Sequence, residues 1–103
     1  MAYQSRLQNG ETDKLFEAVL SLHDREECYR FFEDICTIHE IQSLAQRLMV
    51  ARMLKQQCTY HEIVAKTSAS TATISRVKRA LDYGADGYKL ILDRLEKMEG
   101  PDA

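Results

Sequence analysis

The chain has 103 residues, 45% of them hydrophobic, which suffices for one small packed core, and no apolar run approaches the roughly 20 residues that a membrane-spanning helix needs. A formal net charge of −2 argues at first against a nucleic-acid partner, but the charge is unevenly placed. Residues 47–81 hold seven cations (Arg47, Arg52, Lys55, Lys66, Arg76, Lys78, Arg79) against the single anion Glu62, a local +6, while residues 1–46 carry −5 and residues 82–103 carry −3. A positive field focused on one segment steers that segment to phosphates, and acidic flanks keep the remainder away.

In chain order, the first ten residues are polar and contain no apolar signal-like core, so a cytoplasmic location is expected. Residues 1–11 are expected to form a flexible N-terminal segment, 12–98 a single all-helical domain, and 99–103 a tail. Leu15, Phe16, Val19 and Leu20 recur at helical spacing and predict a first helix over about 12–22, ended by His23 and Asp24. Asp24 with Glu27 forms a capping arrangement for a second helix over about 24–36, on which Cys28, Phe31, Phe32 and Ile35 share a face. Cys28 and Cys36 lie eight positions apart on that helix, about 12 Å by helical rise, too far for a disulfide, and are expected to be buried thiols. Thr37 with Glu40 opens a third and longest helix, to about Gln57. Its apolar residues, among them Ile41, Leu44, Leu48, Met49 and Met53, spread over more than one stripe. Such a helix needs neighbours on more than one side, and a second copy of the chain would supply them.

The stretch 59–81 is the most informative. Thr59-Tyr60-His61-Glu62 places a hydroxyl three positions before a carboxylate, the reciprocal arrangement that satisfies two orphan amides at a helix start. Ile63 and Val64 give this helix an inner face, and the small, hydroxyl-rich run Thr67-Ser68-Ala69-Ser70 suits a turn followed by a new cap. A second helix follows over about 71–81, with Ile74, Val77 and Leu81 inward and Thr71, Ala72, Thr73, Ser75, Arg76, Lys78 and Arg79 outward. Two short helices joined in this way form a helix-turn-helix, whose second helix enters the major groove. Ser70, Thr71, Ala72 and Thr73 at its start are the candidate base contacts, with His61 beside them; Lys66, Ser75, Lys78 and Arg79 are the candidate phosphate contacts. The turn position usually held by glycine is Ser68, where a left-handed backbone costs about 1 kcal/mol, so a reshaped turn is expected.

Residues 82–87 read as a loop, and Tyr88, Ile91, Leu92, Leu95 and Met98 mark a sixth helix that ends at Gly100-Pro101. Other chemistries find little support. There is no phosphate-cradling glycine loop or nucleophile motif, and Cys58 with His61 is compatible with two zinc ligands but lacks a second pair. No cofactor and no enzymatic activity are expected.

The six-helix order, Arg47 on the long third helix, and the run Ser70-Thr71-Ala72-Thr73-Ile74-Ser75-Arg76 resemble the tryptophan repressor superfamily, and within it the Trp repressor-related YerC/YecD-type branch. The resemblance covers about residues 12–98 and is most specific in the recognition helix. It implies a bacterial transcriptional regulator, in most cases a repressor, that binds double-stranded DNA as an intertwined homodimer with two reading heads one turn apart. It places Thr71, Ala72 and Thr73 at the bases. It puts His61 where a guanine-reading arginine stands, which implies a different operator. Arg47 and Arg76 fall on the pair that sandwiches an effector. Val77 and Ala80 replace a small residue and a serine there, which argues against L-tryptophan and leaves two readings open, an unidentified small-molecule effector or effector-free binding, with Arg47 and Arg76 then plain surface cations or phosphate contacts. The competing reading from the residues alone is a helical protein-interaction module whose basic patch docks an acidic partner.

Overall fold

The computed structural model describes residues 3–100; residues 101–103, including the expected stop at Pro101 and most of the expected tail, lie outside the described residues, as do the first two positions of the expected flexible segment. The described residues form six α-helices and no strand: α1 (Gly10–Leu20), α2 (Arg25–Ile35), α3 (Ile38–Lys55), α4 (Tyr60–Thr67), α5 (Thr71–Tyr83) and α6 (Gly87–Glu99). They fall into two compact units, one up to Ile38 and one from His39 onward.

In the N-terminal unit, local hydrogen bonding sets the helix starts. Asn9 caps α1, its side-chain oxygen accepting from the Thr12 amide at 2.8 Å, so the helix begins two residues earlier than expected. Asp24 caps α2 by accepting from the Glu27 amide at 2.9 Å, as the spacing predicts. Glu27 reaches one residue further back than a standard capping box and accepts from the His23 amide at 2.8 Å. Phe31 and Phe32 are half-buried and meet edge-to-face with centroids 5.6 Å apart. Neither α1 nor α2 contains a fully buried residue. Leu15, Phe16, Leu20, Tyr29 and Ile35 are exposed, so these amphipathic helices leave much of their apolar surface open. The expectation of two buried thiols is corrected here: Cys28 is exposed on α2, and Cys36 is half-buried in extended backbone just past the helix end, so the two do not share a buried helix face.

The C-terminal unit holds the core. Val50 and Ala51 of α3, Ile63 of α4, Ala69 of the turn, Ile74 and Val77 of α5 and Leu92 of α6 are buried together, with Leu48, Met53, Leu54, Cys58, Leu81, Tyr88 and Leu95 packed around them. Only the C-terminal half of α3 takes part. Leu44 and Met49 on the same helix are exposed, Ile41 is half-buried, and Ile38 is 74% exposed. The wide apolar stripe on α3 is thus covered on one side and bare on another. The helix stops at Lys55, short of the expected Gln57, because Gln57 turns left-handed with φ 64°. Two ion pairs fasten α3 to α6: Arg52 with Glu99, and Lys55 Nζ with Glu96 at 3.3 Å.

Candidate nucleic-acid interface

The first helix of the motif is fixed at both ends by its own side chains. Thr59 Oγ1 accepts from the Glu62 amide at 3.1 Å, and Glu62 Oε1 accepts from the Thr59 amide at 2.7 Å, completing the box that the sequence implies. The Thr59 amide donating to the carboxylate, and after it the Thr59 hydroxyl beside it, favour the ionised form, with a smaller contribution from His61, and hold the Glu62 pKa below its ordinary value of 4.5. At the other end, the Thr67 hydroxyl donates to the Ile63 carbonyl at 2.8 Å and accepts from the Ala69 amide at 3.1 Å. Gln46 of α3 donates its side-chain N–H to the Thr67 carbonyl at 3.1 Å, tying the turn to the long helix. The turn is not reshaped: Ser68 adopts the left-handed conformation, φ 61° and ψ 15°, that glycine normally supplies. Buried Ala69 and the Thr67 bonds pin the segment on both sides of Ser68 and offset the local cost.

Ser70 caps α5 by accepting from the Thr73 amide at 3.1 Å. The helix then divides its residues into three rows at helical spacing. Ile74 and Val77 are buried and Leu81 half-buried, as expected. Thr71, Ala72, Ser75 and Arg79 are exposed and follow i, i+1, i+4, i+8, one continuous outward row of short side chains ending in a cation. Thr73, Arg76 and Ala80 form the third row, at the edge of a cavity of about 310 Å³. Thr73 is half-buried rather than fully outward, and its hydroxyl lies 3.1 Å from that of Ser70. His61 and Lys66 are exposed on α4.

Charge on this unit is distributed less simply than a count along the chain implies. Arg52 and Lys55 are engaged by carboxylates of α6, and Lys78 pairs with Asp82 at 3.3 Å one turn further along α5. Arg47, Lys66, Arg76 and Arg79 make no ion pair with any described residue. Apart from Arg94 on α6, which is also without an ion pair, the unpaired positive charge of this unit sits at the cavity rim and along the two motif helices.

The cavity brings Arg47 of α3 and Arg76 of α5 together, as the resemblance implies, with Val77 and Ala80 in its wall. Ser43 and Tyr88 also line it and were not singled out from sequence. Ser43 stands one turn before Arg47 on the same helix, a register that could have identified it; Tyr88 carried no signal beyond its place on an apolar stripe. Val77 belongs to the buried core, in one cluster with Ile74 and Leu92, as well as to the cavity wall. Among the described residues no group of three or more His, Cys, Asp or Glu is placed to hold a metal ion, and no helix is long and apolar enough to cross a membrane.

The family described as Trp repressor protein matches residues 10–96, which include all of α1 to α5 and most of α6. The chain belongs to the Trp repressor family. It is 63% identical over 94 residues to the uncharacterized protein YerC of Bacillus subtilis (strain 168), a match covering 91% of this chain and 90% of that one. A crystal structure from Staphylococcus aureus, described as that of a candidate Trp repressor, superposes with a TM-score of 0.84 at 58% identity, covering 87% of this chain and 90% of that one. A TrpR-like protein from Eubacterium eligens ATCC 27750 gives 0.85 at 56% identity, covering 87% and 93%. Trp repressor-like proteins are regulatory DNA-binding proteins and not enzymes, and the six-helix, strand-free architecture is theirs.

Proposed function

We propose that this protein is a sequence-specific transcriptional regulator, acting as a repressor by occupying its operator, and that it reads the major groove of double-stranded DNA as a homodimer. The observation that carries the reading is the exposed row Thr71, Ala72, Ser75 and Arg79 on α5. Short side chains at a helix start let the backbone approach base edges, and a cation two turns on reaches a phosphate. In this reading Thr71 and Ala72 meet base edges from α5, with His61 reaching in from α4. Lys66, Ser75, Lys78 and Arg79 hold the phosphate backbone on either side. A cytoplasmic location, where bacterial DNA lies, is part of the proposal.

The dimer is supported by the bare apolar faces of α1, α2 and the first half of α3. In an intertwined pair these faces cover each other, and residues 12–98 act as one domain only in that assembly. Arg47 and Arg76 then frame an effector site for an anionic ligand, since paired guanidinium groups suit carboxylates and phosphates. Val77 and Ala80 in the wall, in place of a small residue and a serine, argue against L-tryptophan as that ligand.

Binding to random duplex DNA across a salt series tests the reading. A groove-binding regulator gives measurable nonspecific affinity that falls steeply with salt. An absence of binding at low salt would favour the protein-interaction module instead. Calorimetric titration with L-tryptophan is expected to give no micromolar site; such a site, together with tighter operator binding, would overturn the assignment of Val77.

A further inference from the structure

We infer that Thr73 is a positioning residue for the recognition helix and does not itself read a base. The inference rests on the DNA-reading proposal above and deepens it. Three observations carry it. Thr73 is half-buried at the wall of the Arg47–Arg76 cavity, whereas Thr71, Ala72 and Ser75 are exposed on the outward row. Its amide donates to Ser70 Oγ at 3.1 Å, the bond that caps α5. Ser70 Oγ in turn donates to Thr73 Oγ1, also at 3.1 Å. The two residues thus form a closed ring: the Thr73 N–H points to the Ser70 oxygen, and the Ser70 O–H points back to the Thr73 oxygen.

A serine cap normally leaves its own hydroxyl hydrogen free to rotate toward water. Here Thr73 Oγ1 takes that hydrogen and orients the Ser70 lone pair at the helix amide, so the second hydroxyl strengthens the first bond. The first turn of α5 is the turn that carries Thr71 and Ala72. Holding it rigid sets the direction in which these two residues present themselves to the groove. The ring commits the Ser70 hydroxyl hydrogen and one lone pair of each oxygen, and what sets Thr73 apart from the outward row is its half-buried place at the cavity wall. An additional hydroxyl at this helix start is therefore used to build the reading surface, and sequence preference is left to the residues around it.

The test compares Thr73→Val, isosteric without the hydroxyl, Thr73→Ser, which keeps it, and Ser70→Ala, alone and combined with Thr73→Val. Two readouts are needed: hydrogen exchange of the α5 first-turn amides in the free protein, and base preference measured on a randomised duplex pool. Loss of one such hydrogen bond predicts about five-fold faster exchange in Thr73→Val, with Thr73→Ser near the wild type. Operator affinity is expected to fall about five-fold at every sequence alike, leaving base preference unchanged. The losses in Ser70→Ala and Thr73→Val are expected not to add, since both break the same ring. A change of preferred base at one operator position in Thr73→Val, or additive losses in the double variant, would overturn the inference. Failure of the wild-type protein to bind any duplex would instead overturn the DNA-reading proposal, while the exchange result would still judge the ring.

Discussion

Residue by residue, the motif spends backbone strain and side-chain chemistry at defined points. Ser68 holds φ 61° without being glycine. Ser68→Gly removes the Cβ clash of the left-handed conformation but adds chain entropy to the unfolded state, for a net gain of about 0.5–1 kcal/mol. A raised thermal midpoint checks this; an unchanged or lowered one would mean that Ala69 and Thr67 have already relieved the strain. Glu62 gives a pH dependence of known sign. Its pKa is lowered in the folded chain, so the capping box contributes fully above the ordinary carboxylate pKa of 4.5 and is lost as pH falls through the lower folded value. Glu62→Gln should therefore flatten the acid limb of a melting-temperature profile while changing little of its shape above pH 5. On α5, Thr71→Ala is expected to cost about 1–3 kcal/mol per half-site on the operator and little on random DNA, whereas Arg79→Ala should weaken both alike and reduce the salt slope by about 1 per half-site. Asp82 restrains Lys78, so Asp82→Asn should tighten binding to any duplex by up to about 1 kcal/mol. Binding measured against both DNA types separates these outcomes.

The helices show where sequence is a sufficient guide and where it is not. Capping bonds join residues three positions apart, so Asp24 with Glu27, Thr59 with Glu62, and the Ser70 cap were all legible as short patterns. Asn9 escaped notice because Gly10 beside it reads as a turn residue, yet glycine is tolerated in the first helical turn once the preceding side chain accepts an amide. The core face of α5 followed from its 3.6-residue period. Long-range pairings did not. Nothing near Arg52 announces Glu99, 47 positions away, and so the cation-rich segment read as more available to phosphates than it is. The same blindness hid Tyr88 from the cavity that Arg47 and Arg76 outline. The apolar stripes on α1 and α2 were legible as stripes, whereas what completes their burial was not, since neither helix holds a fully buried residue. Leu20, 84% exposed, makes the point testable. On a lone chain Leu20→Asp would be a surface change of no more than about 0.5 kcal/mol. In the intertwined dimer it should cost about 1.5–3 kcal/mol or more per copy. Chemical denaturation at several protein concentrations distinguishes the two.

For the whole molecule, the two-unit division and the bare apolar faces make sense if the folded unit is the pair. A chain of 11.9 kDa whose N-terminal unit has no fully buried residue among those described cannot draw much stability from that unit alone. Sedimentation at micromolar concentration should find twice that mass, and dilution should lead to unfolding rather than to a compact monomer. Symmetry then carries over to the ligand, because two identical reading heads related by a two-fold axis require two half-sites in inverted orientation. Selection of bound sequences from a randomised duplex pool, with the wild-type protein at moderate salt, tests this account most directly. The expected result is one enriched inverted repeat with half-site centres about 10 base pairs apart. A pool that enriches nothing, or a single unpaired half-site bound by one chain, would contradict it.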